Sequence, residues 1–284
     1  MSTHPKVARG ARSVVEVCGA AWIDLLGYGT MLRQADFDPT SPQAEAAIGR
    51  LNHFHAHVAK AATKYSTALV INDGAVICRD LSARSVSVTF DFIRRVVELH
   101  SAVNAGEHAM RLPGARCIVA AGFRVRRSNQ HRQGLIEGYG AHLISRIEDG
   151  QITASEGIKS AITVKPFFAT APETQANFAF TKAYLADEAG SAAGFSGARL
   201  FLDMAFVSDA RPSWLSFDEI VEWSTPGMKG AFGALRALDV QQAGKEQHLG
   251  CRDAFEIAQA LSSSPAVLDR LRKLRIRGAA RAST

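Results

Sequence analysis

The chain has 284 residues, 47% of them hydrophobic and 21% charged, with a net charge of +6 at pH 7. This is the composition of a folded globular protein, and it excludes an intrinsically disordered one. No apolar run reaches the 18 residues of a membrane span and no secretory signal is recognisable, so we expect a cytoplasmic protein without a membrane partner. Much of the positive charge lies in "RLRKLRIRGAARAST", which is typical of a solvated chain end, and nucleic-acid binding is not expected.

The first half of the chain alternates strands and helices. "SVVEVCGAAWIDLLGYG" predicts a strand that ends in a glycine turn. Ser41 as a helix cap, followed by Pro42, predicts a long helix. "TALVIND" and "GAVICRD" predict a hairpin that turns at Asn72, Asp73 and Gly74. A further helix, "SVSVTFDFIRRVVELHSAVNAGE", and a further strand, "GARCIVAAGFRVR", follow.

The second half is predicted with less regularity. We predict an insertion from about residue 126 to about residue 165, in which "ISRIEDGQITASEG" indicates a hairpin that turns at Asp149 and Gly150. "TQANFAFTKAYLADEAGSA" predicts a helix, "ARLFLDMAFV" a strand, and the remainder helices. We therefore predict an α+β fold: a ferredoxin-like β-α-β-β-α-β domain over residues 1–210, and a helical C-terminal extension over 211–284.

Asp24 is a carboxylate inside the otherwise apolar stretch "AAWIDLLGYG", and it needs a partner because a buried lone charge costs several kcal/mol. Asp73 lies at the tip of the hairpin that neighbours this strand in a ferredoxin-like sheet. Two carboxylates without a histidine favour Mg²⁺ or Mn²⁺, whose coordination shell substrate phosphates complete. The adjoining loop, Leu26, Gly27, Tyr28 and Gly29, could offer backbone N–H groups to a triphosphate.

"WIDLLGYG", a long helix and "ALVINDGAVICRD" together resemble the catalytic domain of class III nucleotide cyclases, most closely the bacterial pyrimidine cyclases of Pycsar anti-phage defence. The resemblance implies two metal ions per site, held by Asp24, Asp73 and the Leu25 carbonyl. It implies conversion of CTP or UTP to a 3′,5′-cyclic mononucleotide, which a downstream effector senses. It also implies a homodimer with the active site at its interface.

The same resemblance implies groups that stabilise the transition state. "TQANFAFTKAYL" is similar to the segment in which the family has Asn followed by Arg one helical turn later. Asn177 matches, but Thr181 occupies the arginine position and the nearest cation is Lys182. Arg116 and Arg124 are candidates for binding the triphosphate, since a guanidinium pairs with phosphate in a bidentate manner; Arg126, Arg127 and Lys165 are further candidates.

Three alternatives remain open at the level of sequence: a catalytically silent cyclase-like module that binds a nucleotide or a protein, a purine nucleotide cyclase, and a metal-dependent nuclease or phosphodiesterase. Asp203, a second carboxylate inside an apolar strand, could touch the site. His53 and His57 lie four residues apart on one helix face and could chelate zinc or nickel. No third ligand is evident beside them, so we interpret them as part of a polar face.

Overall fold

The computed structural model describes residues 14–36, 38–126, 142–163, 174–208, 212–269 and 271–272. By their contacts, the described residues form two compact units. The larger unit contains residues 15–124 and those from 176 onward, and the smaller contains the other described residues: 142–163 and the short flanking segments 14, 125–126 and 174–175.

The larger unit consists of one sheet with helices. Its strands are β1 (Val14–Leu25), β2 (Thr67–Ile71), β3 (Gly74–Asp80), β4 (Ala115–Arg126), β5 (Leu200–Asp203), β6 (Leu215–Thr225) and β7 (Met228–Leu238). Its helices are α1 (Tyr28–Gln34), α2 (Pro42–Ala61), α3 (Val86–Ala109), α6 (Phe178–Ala189), α7 (Val240–Lys245) and α8 (Ala254–Leu261). The smaller unit contains α4 (residues 142–148) and α5 (Ala154–Thr163).

The strands form one seven-stranded sheet in the order β2-β3-β1-β4-β5-β7-β6. The first four positions of this order are the ferredoxin-like arrangement, so the predicted α+β fold is confirmed. β1 pairs antiparallel with β3, and β4 pairs parallel with β5. β5 pairs antiparallel with β7, so the sheet continues beyond residue 210.

Each face of the sheet carries its own hydrophobic core. Alternate residues of β1 point to opposite faces, as in any strand. Val17, Ala21 and Ile23 join the core that contains buried residues of α2 and α3. Ala20 and Trp22 join the core that contains the small residues of α6, which are Ala179, Ala183 and Ala186. By this alternation Asp24 belongs to the α6 face of the sheet.

The local signals of the first half are confirmed. The Ser41 side chain caps α2 by accepting a hydrogen bond from the Ala44 N–H at 3.1 Å, with Pro42 at the first position of the helix. Asn72 has a φ of 54°, which is the left-handed conformation that a tight hairpin requires and asparagine tolerates.

The helical prediction for residues 211–284 is wrong over 215–238, which form β6 and β7. These strands pair antiparallel from Thr225 and Met228 outward. The turn between them contains Pro226 and Gly227, and Gly227 has a φ of 83°. Proline followed by glycine predicts a turn between two strands. This is a stronger signal than the spacing of "SFDEIVEWS" that suggested a helix. Helices α7 and α8 follow, as predicted for the end of the chain.

The hairpin predicted at Asp149 and Gly150 is also wrong. These residues form the turn between two helices, α4 and α5. The Thr153 hydroxyl accepts from the Glu156 N–H at 3.2 Å, while the Glu156 carboxylate accepts from the Thr153 N–H at 2.7 Å. This reciprocal capping box is visible in the sequence as "TASE" and predicts the start of a helix. None of the described helices is long and apolar enough to cross a membrane.

Candidate functional site

The end of β1 and the β2–β3 turn bring Asp24 and Asp73 together. Asp24 lies opposite Gly74 in the β1–β3 ladder, and the Leu25 N–H donates to the Asp73 carbonyl at 3.1 Å. The Asn72 side chain donates to Oδ1 of Asp73 at 2.8 Å. Strand pairing and turn geometry therefore fix two acidic residues that are far apart in the sequence at one rim of the sheet.

The carboxyl group of Asp24 is in an electrostatically unfavourable position. Burial, followed by the negative charges of Asp187 and Asp73, raises its pKa from 3.8 to about 7, although Arg116 and Arg50 oppose the shift. The two arginines do not offset burial and the neighbouring carboxylates, and a divalent cation would supply further positive charge. Two carboxylates therefore fit Mg²⁺ or Mn²⁺, ions that commonly retain waters and bind phosphate oxygens.

In the part of the chain that the structure describes, no group of three or more His, Cys, Asp or Glu side chains is arranged to hold a metal ion. The protein would thus provide only part of a coordination shell at Asp24 and Asp73. The remaining positions would be open to water and to a phosphate-bearing ligand.

Asp187 is a site residue that the sequence did not reveal. It lies in the last turn of α6, and its carboxylate accepts from Trp22 Nε1 at 3.2 Å and from Arg116 Nε at 2.5 Å. It therefore ties α6 to β1 and β4 beside Asp24. The only sequence signal was its position within an alanine-rich helix, which does not indicate a partner more than 70 residues away.

A second buried ion pair supports the chain around the site. The guanidinium of Arg50 on α2 binds the carboxylate of Glu107 on α3, with a shortest N–O distance of 2.6 Å and both side chains almost fully buried. The same guanidinium donates to the carbonyls of Leu26 at 3.0 Å and Gly114 at 3.5 Å. This Arg50–Glu107 clamp holds the end of β1 next to the start of β4. Sequence reasoning missed it, because neither residue interrupts an apolar pattern.

Only part of the loop that was predicted to bind phosphates is accessible to a ligand. Gly27 and Gly29 are exposed, and Gly27 has a φ of 75° just before α1 begins. The Leu26 N–H, however, donates to the Gly114 carbonyl at 2.9 Å, and the Tyr28 side chain is buried in the core. Leu26 and Tyr28 therefore serve the fold, whereas the two glycines remain accessible to a ligand.

The arginines predicted to bind the triphosphate already have carboxylate partners. Arg116 binds Asp187 and also donates to the Phe195 carbonyl at 2.8 Å. Arg124 pairs with Asp80 and with Glu16, the latter at 3.2 Å. These pairings weigh against a phosphate role for both arginines. Arg127 and Lys165 lie outside the described residues, as does the side chain of Arg126.

The two arginines also lie at opposite ends of the sheet. The start of β4 lies beside the end of β1, where the Leu26 N–H donates to the Gly114 carbonyl. The end of β4 lies beside the start of β1, where Arg124 pairs with Glu16. Arg124 lies eight positions after Arg116 along the strand, which corresponds to about 27 Å. A single triphosphate bound near Asp24 could therefore reach the Arg116 end only.

Asn177 lies at the Arg124 end, to which an isolated β-bridge joins it. Its side chain is buried, caps α6 by accepting from the Phe180 N–H at 3.0 Å, and accepts from the Cys18 thiol at 3.3 Å. From this cap, α6 runs for twelve residues, about 18 Å, to its other end beside Asp24. Within one chain, the structure does not bring Asn177 to the carboxylates.

Lys182 is part of a buried ion pair. Its ammonium group lies 2.6 Å from Oδ2 of Asp203, which also accepts from the Ala121 N–H at 3.0 Å. This pairing explains the carboxylate of Asp203 inside an apolar strand, for which contact with the site was an open prediction. It also means that the charge of Lys182 is neutralised, so this lysine is not a free cation.

No protein-family model matches the chain, and no curated protein matches it. Among solved structures, the guanylyl cyclase Cya2 aligns with a TM-score of 0.45 and 11% identity, over 80% of this chain and 94% of that chain. A dimeric guanylyl cyclase domain of the RhoGC fusion protein from the aquatic fungus Blastocladiella emersonii aligns with a TM-score of 0.39 and 7% identity, over 80% and 98%. At these scores and identities, function has to be argued from the site itself.

Proposed function

We propose that this protein is a metal-dependent nucleotide cyclase that converts a nucleoside triphosphate, CTP or UTP, to a 3′,5′-cyclic mononucleotide and pyrophosphate. The observation that carries the proposal is the convergence of Asp24 and Asp73 at one rim of a ferredoxin-like sheet, where burial and the nearby carboxylates of Asp187 and Asp73 raise the pKa of Asp24. The motif "WIDLLGYG", whose resemblance is to pyrimidine cyclases, supports the choice of base and a role as a signal to an anti-phage effector.

The residues of the chain would divide the work as follows. Asp24, Asp73 and the Leu25 carbonyl would hold two Mg²⁺ or Mn²⁺ ions, which when bound would activate the ribose 3′-hydroxyl and neutralise the leaving pyrophosphate. The exposed backbone at Gly27 and Gly29 would contact the phosphates. Asp187 would keep Arg116 and α6 in position beside the carboxylates.

The proposal includes a head-to-tail homodimer. Asp24 lies at one end of the α6 face of the sheet, with Asp73 in the adjoining β2–β3 turn, and Asn177 lies at the other end, about the length of α6 away. A second copy in the opposite direction would set the Asn177 end of its α6 beside the carboxylates of the first. Two equivalent composite sites would result from one two-fold axis.

The activity is tested by incubating the protein with each of the four NTPs and Mn²⁺, and by measuring pyrophosphate and cyclic product by mass spectrometry. We expect one cyclic mononucleotide, lost in Asp24→Ala and Asp73→Ala and retained in Asp269→Ala, which removes an exposed carboxylate elsewhere. A cyclic purine would refute the choice of base, and the absence of product from every NTP would refute the activity.

The composite site is tested by mixing two inactive variants. Asp24→Ala and Asn177→Ser are each expected to be inactive, and serine still caps a helix at position 177. Half of the randomly mixed dimers carry one intact site out of two, so about a quarter of the wild-type activity should return. No recovery after verified subunit exchange would refute the shared site.

One observation favours a second candidate, a catalytically silent module of the same fold. Lys182, Arg116 and Arg124, the cations predicted to act on the phosphates, each form an ion pair within the chain. A silent module would bind a nucleotide with Mn²⁺ in the mixture above without releasing pyrophosphate. Isothermal titration with the same NTPs separates this outcome from failure to bind.

A further inference from the structure

Two imidazole rings converge on the surface of α2, away from the candidate site. His53 and His57 are one helical turn apart, and their Nε2 atoms lie 3.1 Å from each other. The rings meet edge to face, with centroids 4.7 Å apart. His53 is exposed and His57 is partly exposed, so solvent reaches the pair. α2 packs on the opposite face of the sheet from the one to which Asp24 belongs.

The separation of the two nitrogens matches a chelate. With metal–nitrogen bonds of 2.0–2.1 Å, donors 3.1 Å apart subtend about 98° at the metal, between the octahedral and the tetrahedral angle. A bound ion would replace the proton that the two nitrogens now share. The rings would only have to turn about their side-chain bonds so that the lone pair of each Nε2 points to the ion.

The neighbouring helix leaves space for this arrangement. Gly106 of α3 faces the His53 ring, and a Cβ atom at that position would lie 2.4 Å from the Nε2 of His53. Gly106 lies in the last turn of α3, and glycine within a helix is destabilising by up to about 1 kcal/mol relative to alanine, so a close approach of this kind is a reason for its presence. The ring of His53 is thus confined between α3 and His57.

The chemistry of the pair selects the class of metal. Two neutral imidazoles suit Zn²⁺, Ni²⁺ and Cu²⁺, whereas Mg²⁺ and Mn²⁺ prefer the oxygen ligands of the candidate site. We propose that His53 and His57 form a second, bidentate site for a divalent transition metal of the nickel, copper and zinc type.

The test is titration of the tag-free full chain with NiCl₂ by isothermal calorimetry, because other histidines provide a background that variants can subtract. His53→Gln and His57→Gln are each expected to weaken the strongest Ni²⁺ site at least tenfold. Glutamine is a good helix former, so both variants should fold. His55→Gln, on the same helix but directed to the Asn72 carbonyl, is the matched control and should change the affinity less than twofold.

A spectroscopic readout identifies the ligands directly. Substoichiometric Cu²⁺ should broaden the ring NMR signals of His53 and His57 before those of the other histidines. Unchanged Ni²⁺ affinity in both variants would show that the nitrogens form a hydrogen bond only, and would overturn the proposal. Loss in one variant but not in the other would overturn the bidentate site as well.

Discussion

Replacing Asp24 with Asn should make the protein more stable at neutral pH and change how its stability depends on pH. The pKa of Asp24 is about 7 in the folded protein and 3.8 without the fold. The folded state therefore binds the proton more tightly, and the contribution of Asp24 to the free energy of unfolding is largest below pH 3.8. That contribution is lost as the pH rises through 7. Asparagine cannot ionise, so Asp24→Asn should escape this loss.

The magnitude follows from the shift. About three pKa units correspond to about 4 kcal/mol at 1.36 kcal/mol per unit, which is an upper bound. Because Asp24 is only partly buried, solvent screening reduces this to about 1–2 kcal/mol. Relative to wild type, Asp24→Asn should thus gain about 1–2 kcal/mol between pH 4.5 and pH 8.5.

The assay is urea unfolding followed by tryptophan fluorescence, in EDTA, at half-unit steps of pH. Asp269→Asn serves as the control, since Asp269 is exposed and its replacement should leave the pH dependence unchanged. If the difference in unfolding free energy between wild type and Asp24→Asn does not change with pH, the pKa of Asp24 is not raised by burial and by Asp187 and Asp73, and the reasoning is refuted.

In a thermal melt at pH 8, Mn²⁺ should raise the unfolding midpoint of wild type but not that of Asp24→Asn. The stabilisation should be weaker at pH 5.5, where a proton occupies the carboxylate of Asp24. Equal stabilisation of both proteins would place the ion elsewhere. Glu107→Gln should cost about 3–5 kcal/mol in urea unfolding, because it leaves the buried guanidinium of Arg50 without its carboxylate. A cost below 1 kcal/mol would mean that water reaches Arg50. Gly19→Ala should cost about 1–3 kcal/mol, because its Cβ would lie 2.4 Å from the Phe92 ring; a neutral result in the same assay would show that the ring moves freely.

The sequence predicts the first half of the fold well because each element carries its own local signal. The cap at Ser41 and the turn at Asn72 and Asp73 depend on residues adjacent in the chain, and both are confirmed. The wrong predictions at 142–163 and 215–238 could also have been avoided from local signals. The capping box at Thr153 indicates the start of a helix, and the turn at Gly227 indicates a hairpin.

The candidate site is less accessible to sequence reasoning. That Asp24 and Asp73 meet followed from the predicted order of strands. The position of Asp187 next to Asp24 depends on where α6 packs on the sheet. The alanines of α6 predict that it packs closely, but not against which strands. The opposite locations of Arg116 and Arg124, in contrast, were predictable, because eight residues of one strand span most of a sheet.

The Arg50–Glu107 clamp has a consequence for the rate and entropy of ligand association. It fixes the backbone at Leu26 and Gly114 through hydrogen bonds that exist before any ligand arrives. Conformational freedom at the rim of the sheet is therefore lost during folding rather than during binding. Ligand capture at Asp24 should need no rearrangement of this backbone, and its association rate should be governed by diffusion and charge.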